Sequence, residues 1–157
     1  MPTPPIEEIR LGPINVRFFI DGTAVPNGSI SMFDFTVAPG AKVPIAHSHD
    51  AYEETCYALE GTLTLTLWSA SGEPTRVETS PGDVVFIPRG VVHRFDNFSP
   101  APTRTLAVIT PGILGAAFFR EMAALVKLSA DGHPTPPEPA AAAAVMLRHG
   151  LTPAPGR

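Results

Sequence analysis

His47 and His49 stand two residues apart, Glu54 follows after a short gap, and His93 lies far along the chain. Residues two apart on a strand project from the same face, so His47 and His49 can aim two imidazoles at one point. Glu54 opens the next strand after the loop Asp50-Ala51-Tyr52-Glu53, and a hairpin can return its carboxylate to that point. His93 begins another strand just beyond Pro88-Arg89-Gly90 and would supply a fourth ligand. Three neutral imidazoles and one carboxylate suit a single divalent transition metal ion: iron, manganese, nickel, copper or zinc. A lone histidine on a strand is more often a hydrogen-bonded structural residue, so the chemistry rests on the set. Glu53 reads as a solvated charge, and His133 and His149 as surface residues of a linker and a terminal helix. The sole cysteine, Cys56, excludes an internal disulfide and a cysteine-only zinc cage, and reads as a small hydrophobe.

Strands must carry these groups. Apolar runs punctuated by Pro and Gly predict strands at Val16–Ile20, Ser29–Val37, Glu54–Leu59, Thr62–Trp68, Val84–Ile87, Val91–Phe95 and Thr105–Ile109. That spacing predicts an all-β sandwich or barrel. In Thr62–Leu67 leucines alternate with threonines, which predicts a strand with one core face and one wet face. Phe33, Phe35 and Val37 alternate likewise with Met32, Asp34 and Thr36. After Pro111-Gly112 the period changes: Leu114, Phe118, Met122 and Leu125 predict a helix over residues 114–128, and a second helix runs from Glu138 to His149. Whether the first helix caps a barrel mouth or packs outside is open at this point.

The 157 residues make one domain's worth of chain, 44% hydrophobic and 17% charged, enough to bury a core. Of 19 prolines, three fall in residues 1–5 and six in 134–155. The chain therefore divides into a Pro-rich N-terminal arm (1–13), a β-barrel (14–110) and a C-terminal helical extension (111–157) with a Pro-rich linker at 131–139. A net charge of −4 without a basic block argues against nucleic acid or an anionic membrane as partner. No apolar run is long enough to cross a bilayer, and the first residues lack the basic-then-apolar pattern of a secretion signal, so a cytoplasmic location is expected.

Both chemistry-bearing stretches resemble the two motifs of the cupin family. The first reads Gly40, His47-Ser48-His49, four residues, Glu54, six residues, Gly61; the second reads Gly82, five residues, Pro88-Arg89-Gly90, two residues, His93, three residues, Asn97. The second matches the family pattern without a gap, and the first carries one extra residue between Gly40 and His47. Six residues before Gly61 fits Glu54 rather than Glu53. The resemblance implies a double-stranded β-helix, a jelly-roll barrel with the metal inside. It makes Gly61, Gly82, Gly90 and Asn97 turn residues.

The ligand set is similar to that of cupin dioxygenases of the quercetin 2,3-dioxygenase type, with Glu54 acting as ligand and general base. Residues sharing the ligands' inward faces, Phe33, Phe35, Cys56, Ala58 and Phe95, are the candidates to line a substrate pocket. A dioxygenase acting on a small hydroxylated or dicarbonyl compound is expected first. Non-oxidative isomerase, lyase or decarboxylase chemistry, and a binding or sensing module, are the other classes. Small members of the family resemble homodimers built by strand exchange, and Val16–Ile20 is the segment suited to a neighbour's sheet edge.

Overall fold

The computed structural model describes residues 6–43, 45–154 and 156–157. The three prolines expected to form part of an extended arm at residues 1–5 lie outside the described residues.

Ten strands come first: β1 (Glu7–Leu11), β2 (Ile14–Ile20), β3 (Ser31–Val37), β4 (His47–His49), β5 (Glu53–Glu60), β6 (Leu63–Trp68), β7 (Pro74–Thr79), β8 (Val84–Ile87), β9 (Val92–Asp96) and β10 (Thr103–Thr110). Helix α1 (Ala116–Ala124), a short ribbon of β11 (Lys127–Leu128) and β12 (Pro134–Thr135), helix α2 (Pro139–Arg148) and β13 (Leu151–Pro153) complete the chain. Two antiparallel sheets result, one ordered β1-β2-β3-β10-β5-β8 and the other β13-β4-β9-β6-β7. Their inner faces meet, as Phe35 of β3 against Phe95 of β9 shows, with ring centroids 5.2 Å apart. This is the expected double-stranded β-helix. The inward alternation of Phe33, Phe35 and Val37 is realised, all three being buried.

The differences from the expected elements have physical reasons. Residues 7–11, expected within the arm, form an edge strand that pairs Ile9 with Val16 and Leu11 with Ile14. Glu8 and Arg10 face outward, and Glu7, on the face of Ile9 and Leu11, pairs with Arg120 of α1; these three charges mask the Ile9 and Leu11 alternation in the sequence. β7 went unpredicted because an edge strand buries little: only Thr79 of its six residues is buried, and its proline sits at the first position, where no ladder donor is lost. The ribbon β11–β12 falls across the start of the expected linker.

The threonine face of β6, expected to be wet, is buried at Thr64 and Thr66. β6 is an interior strand, and Asp96 and Glu78 flank Thr64 in register while Arg94 and Arg76 flank Thr66. Longer neighbours on both sides shield the short hydroxyls. Residues 16–18 are also interior, since β2 pairs there with β1 on one side and β3 on the other, and the edge left for a second chain shrinks to Phe19 and Ile20, which run past the start of β1.

Turn residues sit where the backbone demands them. Gly61 has φ +71°, and a β-carbon there would lie 2.6 Å from the Pro102 carbonyl oxygen, so both torsion and space require glycine. Asn97 is fully buried; its amide donates to the carbonyls of Val37 (3.0 Å), Ala38 (3.2 Å) and Ala101 (2.8 Å), and its carbonyl oxygen accepts from the Ser99 backbone N–H (2.9 Å). It thereby ties the end of β3 to the loop after β9. Asn97→Ala strands these carbonyls in a dry interior, and a loss of about 2–3 kcal/mol in chemical denaturation is expected, with metal content unchanged. A loss below about 0.5 kcal/mol would contradict that role.

Candidate metal centre

His47 and His49 occupy the two ends of β4 and both are buried, together with Ser48 between them. β4 is only three residues long. Its partner β13 pairs with it along its whole length, Leu151 opposite His49 and Pro153 opposite His47, whereas β9 meets it at one pair, His47 opposite His93. Glu54 is the second residue of β5, whose inward face also carries Cys56 and Ala58 by alternation, with Tyr52 buried just ahead of the strand.

His49, Glu54 and His93 form a buried group whose potential ligand atoms all lie within 4.8 Å of one another. His49 Nε2 is 3.2 Å and His93 Nε2 3.6 Å from the same Glu54 oxygen, Oε2. His47 stands beside this triad rather than in it, its ring centroid 4.6 Å from that of His93 and 6.2 Å from that of His49. The structure thus brings three of the four expected ligands together and places the fourth against them.

All three imidazoles are held the same way. The Nδ1 of His47, His49 and His93 lies 3.0 Å from the backbone carbonyl oxygen of Ile45, Tyr52 and Val91 respectively. A carbonyl only accepts, so each Nδ1 carries the proton and each neutral ring keeps a lone pair on Nε2. Two lone-pair nitrogens and a carboxylate oxygen crowd together at His49, His93 and Glu54, and His93 Nε2 is buried with no hydrogen-bond partner. Such a cluster of acceptors fits a cation at its centre, and the Nδ1–H to carbonyl links are the outer supports that orient metal-binding histidines. The residues therefore fit a divalent transition metal.

Electrostatics agree. Burial pushes the Glu54 carboxyl upward, but positive charge shared with His49 and His93, whether a proton on a ring nitrogen or a cation bound in its place, outweighs burial and holds the group well below the usual carboxylate range. His47 is pushed down to about 3, chiefly by burial and then by His93, so it is neutral and ligand-competent at ordinary pH. Cys56 is pushed up, first by burial and then by Glu54; its thiol stays protonated and donates weakly to Glu54 Oε1 at 3.4 Å.

The triad borders an apolar cavity of about 120 Å³. Phe33, Phe35 and Phe95 line it as expected, with His47, Tyr52 and Glu54 as its polar groups. Cys56 and Ala58, expected beside them, line a separate and much smaller void with Leu63, Leu65 and Thr79. They do face inward, but each step of two along β5 moves about 6.6 Å, and these steps lead away from the cavity. α1 caps the mouth: Phe118, Phe119 and Met122 line the cavity together with Leu114 just before the helix, and Met146 of α2 and Leu151 of β13 join them. Tyr52 is a loop residue, as the sequence reads it, and its place in the cavity wall follows from lying just ahead of β5, two residues before Glu54. His149, expected to be a plain surface residue, is partly buried and binds Glu121 of α1 at 2.9 Å.

Fold and site together define a cupin. Residues 33–109 match the family model described as the cupin domain, and the chain is a small cupin protein. Among curated proteins it is 31% identical to quercetin 2,3-dioxygenase of Bacillus subtilis over 97 residues, covering 62% of this chain and 26% of that one. It is 32% identical to germin-like protein subfamily 2 member 1 of Arabidopsis thaliana over 96 residues, covering 58% of this chain and 42% of the relative. The match therefore spans less than half the length of either relative. Solved oxalate decarboxylases share the fold. One from Bacillus subtilis, studied for its Mn(II) centres, has TM-score 0.60 and 24% identity over 68% of this chain and 28% of its own. One from Lactobacillus farciminis, in complex with formate, has TM-score 0.61 and 22% identity over 70% of this chain and 32% of its own. Among the described residues no helix is long and apolar enough to cross a membrane.

Proposed function

We propose that the protein is a metal-dependent dioxygenase acting on a small hydroxylated or dicarbonyl compound bound inside the barrel. The observation that supports this reading is one arrangement: three imidazoles with Nδ1 tied to backbone carbonyls, beside Glu54, bordering an apolar cavity capped by α1. When bound by His47, His49, Glu54 and His93, a divalent transition metal supplies Lewis acidity and, if redox-active, a route for electrons from substrate to dioxygen.

The chain's own residues do the rest. Among the described residues Glu54 Oε1 is engaged by the weak Cys56 thiol alone, which leaves it open to accept the hydrogen bond of a substrate hydroxyl and, once the neighbouring positive charge that lowers its basicity is lifted, to take that proton as general base. His47 reaches both the cavity and the ring of His93, which supports a substrate in the cavity sharing one space with the ligand set. The phenylalanines of β3, β9 and α1 exclude water from a reactive intermediate. A small dianion such as oxalate finds little support in this chamber, because among the described residues no lysine or arginine lines it and Glu54 brings a negative charge.

The test is oxygen consumption. Protein purified without chelator, with its metal measured by elemental mass spectrometry, is screened against catechols, diketones and flavonols in an oxygen electrode. Uptake of one O₂ per substrate consumed is expected. Equal product formation under nitrogen would replace this reading with non-oxidative metal chemistry, and no turnover of any class with metal bound would favour a binding module.

A further inference from the structure

The cavity contains one side chain whose position the ligand set does not explain. Tyr52 is wholly buried, lines the cavity, and its hydroxyl has no hydrogen-bond partner among the described residues. Buried hydroxyls are nearly always paired, so an idle one in a cavity wall calls for a partner that enters the cavity. Tyr52 cannot readily turn away to find one. Its ring stacks on His49 with centroids 4.2 Å apart at 18°, and its own carbonyl accepts the His49 Nδ1–H. The other polar groups of the lining are occupied differently: His47 donates to Ile45, and Glu54 only accepts.

Size narrows the guest further. An apolar cavity of about 150 Å³ is known to admit a benzene ring, so about 120 Å³ has room for no more than a single ring, whose substituents must point out of the apolar chamber toward its polar groups, and it excludes a three-ring compound such as a flavonol. The walls suit a ring as well, with Phe33, Phe35, Phe95, Phe118 and Phe119 among them.

From these observations we infer that the cavity takes an uncharged single-ring compound with two neighbouring oxygens, one presented to Glu54 and the other accepting the Tyr52 hydroxyl. The inference rests on the dioxygenase reading for its chemistry and on the cavity alone for its binding. Tyr52 is then a specificity residue, selecting a second oxygen on a ring whose first oxygen lies at the reacting end.

Catechol, phenol, oxalate and quercetin serve as probes in titration calorimetry on metal-free and zinc-loaded protein, wild type and Tyr52→Phe. Zinc blocks turnover, and the metal-free form removes chelation as a source of preference. The wild type is expected to favour catechol over phenol by about tenfold even without metal, the worth of one neutral hydrogen bond. Tyr52→Phe should lose that preference while phenol affinity changes by less than about twofold and zinc content stays unchanged. Quercetin and oxalate should bind more weakly than catechol. Equal catechol affinity in wild type and Tyr52→Phe would overturn the role of Tyr52, and quercetin binding as tightly as catechol would overturn the size limit. If Tyr52→Phe does not fold, loss of the wild-type catechol preference on removing the metal overturns the inference by itself. If catechol binds as expected but iron- or manganese-loaded protein consumes no oxygen with it, the cavity assignment stands and the dioxygenase reading falls.

Discussion

His93→Ala is expected to reduce bound transition metal from near one ion per chain to below about a tenth of that, measured by elemental mass spectrometry on purified protein. His93 is fully buried, and its Nε2, which has no hydrogen-bond partner, lies 3.6 Å from Glu54 Oε2. Its ring also joins the site together, 4.6 Å from His47, 4.9 Å from His49 and 5.6 Å from Phe95 between centroids. Removing it deletes a ligand, leaves the buried Glu54 carboxylate with His49 as its remaining ring partner, and opens a hole at the centre of the barrel. The last two effects act without metal. Metal-free His93→Ala should therefore lose about 3–5 kcal/mol against metal-free wild type. Wild-type metal occupancy in the variant would remove His93 from the ligand set. Loss of metal with unchanged metal-free stability would instead mean that the interior relaxes around Glu54.

Deleting residues 150–157 is expected to weaken metal affinity by about 10–100-fold and to lower the melting temperature by roughly 10 °C. This stretch contains β13, which pairs with every residue of the ligand strand β4. Leu151 is buried and lines the cavity, and the Ala154 N–H donates to the Ala46 carbonyl at 2.7 Å, just before His47. Without β13 the ligand strand keeps one paired residue in its sheet, His47 opposite His93, and half of its backbone groups turn to solvent. The burial of Leu151 and the lost ladder together account for about 3 kcal/mol. Metal titration of the metal-free protein with zinc, alongside thermal unfolding, checks both parts. A lower melting temperature with unchanged zinc affinity would show that β13 stabilises the fold without positioning the ligands.

The legibility of this protein in its sequence follows local periodicity. β3 was readable because Phe33, Phe35 and Val37 alternate on a strand whose inner face meets the core. β5 and β9 were readable because their motif glycines and Pro88 mark the turns. β1, β7 and β13 were not, because each owes its strand conformation to a partner rather than to its own pattern: β1 is mostly charged, β7 is mostly exposed, and β13 follows a helix and ends in proline. Sequence periodicity also misjudged the outer face of β6. A threonine between leucines looks wet, but an interior strand flanked by long side chains buries it.

By itself the sequence determined the ligand types and their approximate convergence, because His47, His49 and Glu54 are close in the chain and a strand, a turn and a strand suffice to assemble them. It also determined the barrel class, since seven short alternating segments have few other ways to bury their apolar faces. Only the tertiary structure decided how tightly His93 joins that group, which rim of the barrel is open, and what closes it. Those outcomes depend on contacts between segments far apart in the chain: α1 over the mouth, β13 along the ligand strand, and Tyr52 stacked on His49. No local pattern encodes them, because each is set by the shape left after the two sheets have packed.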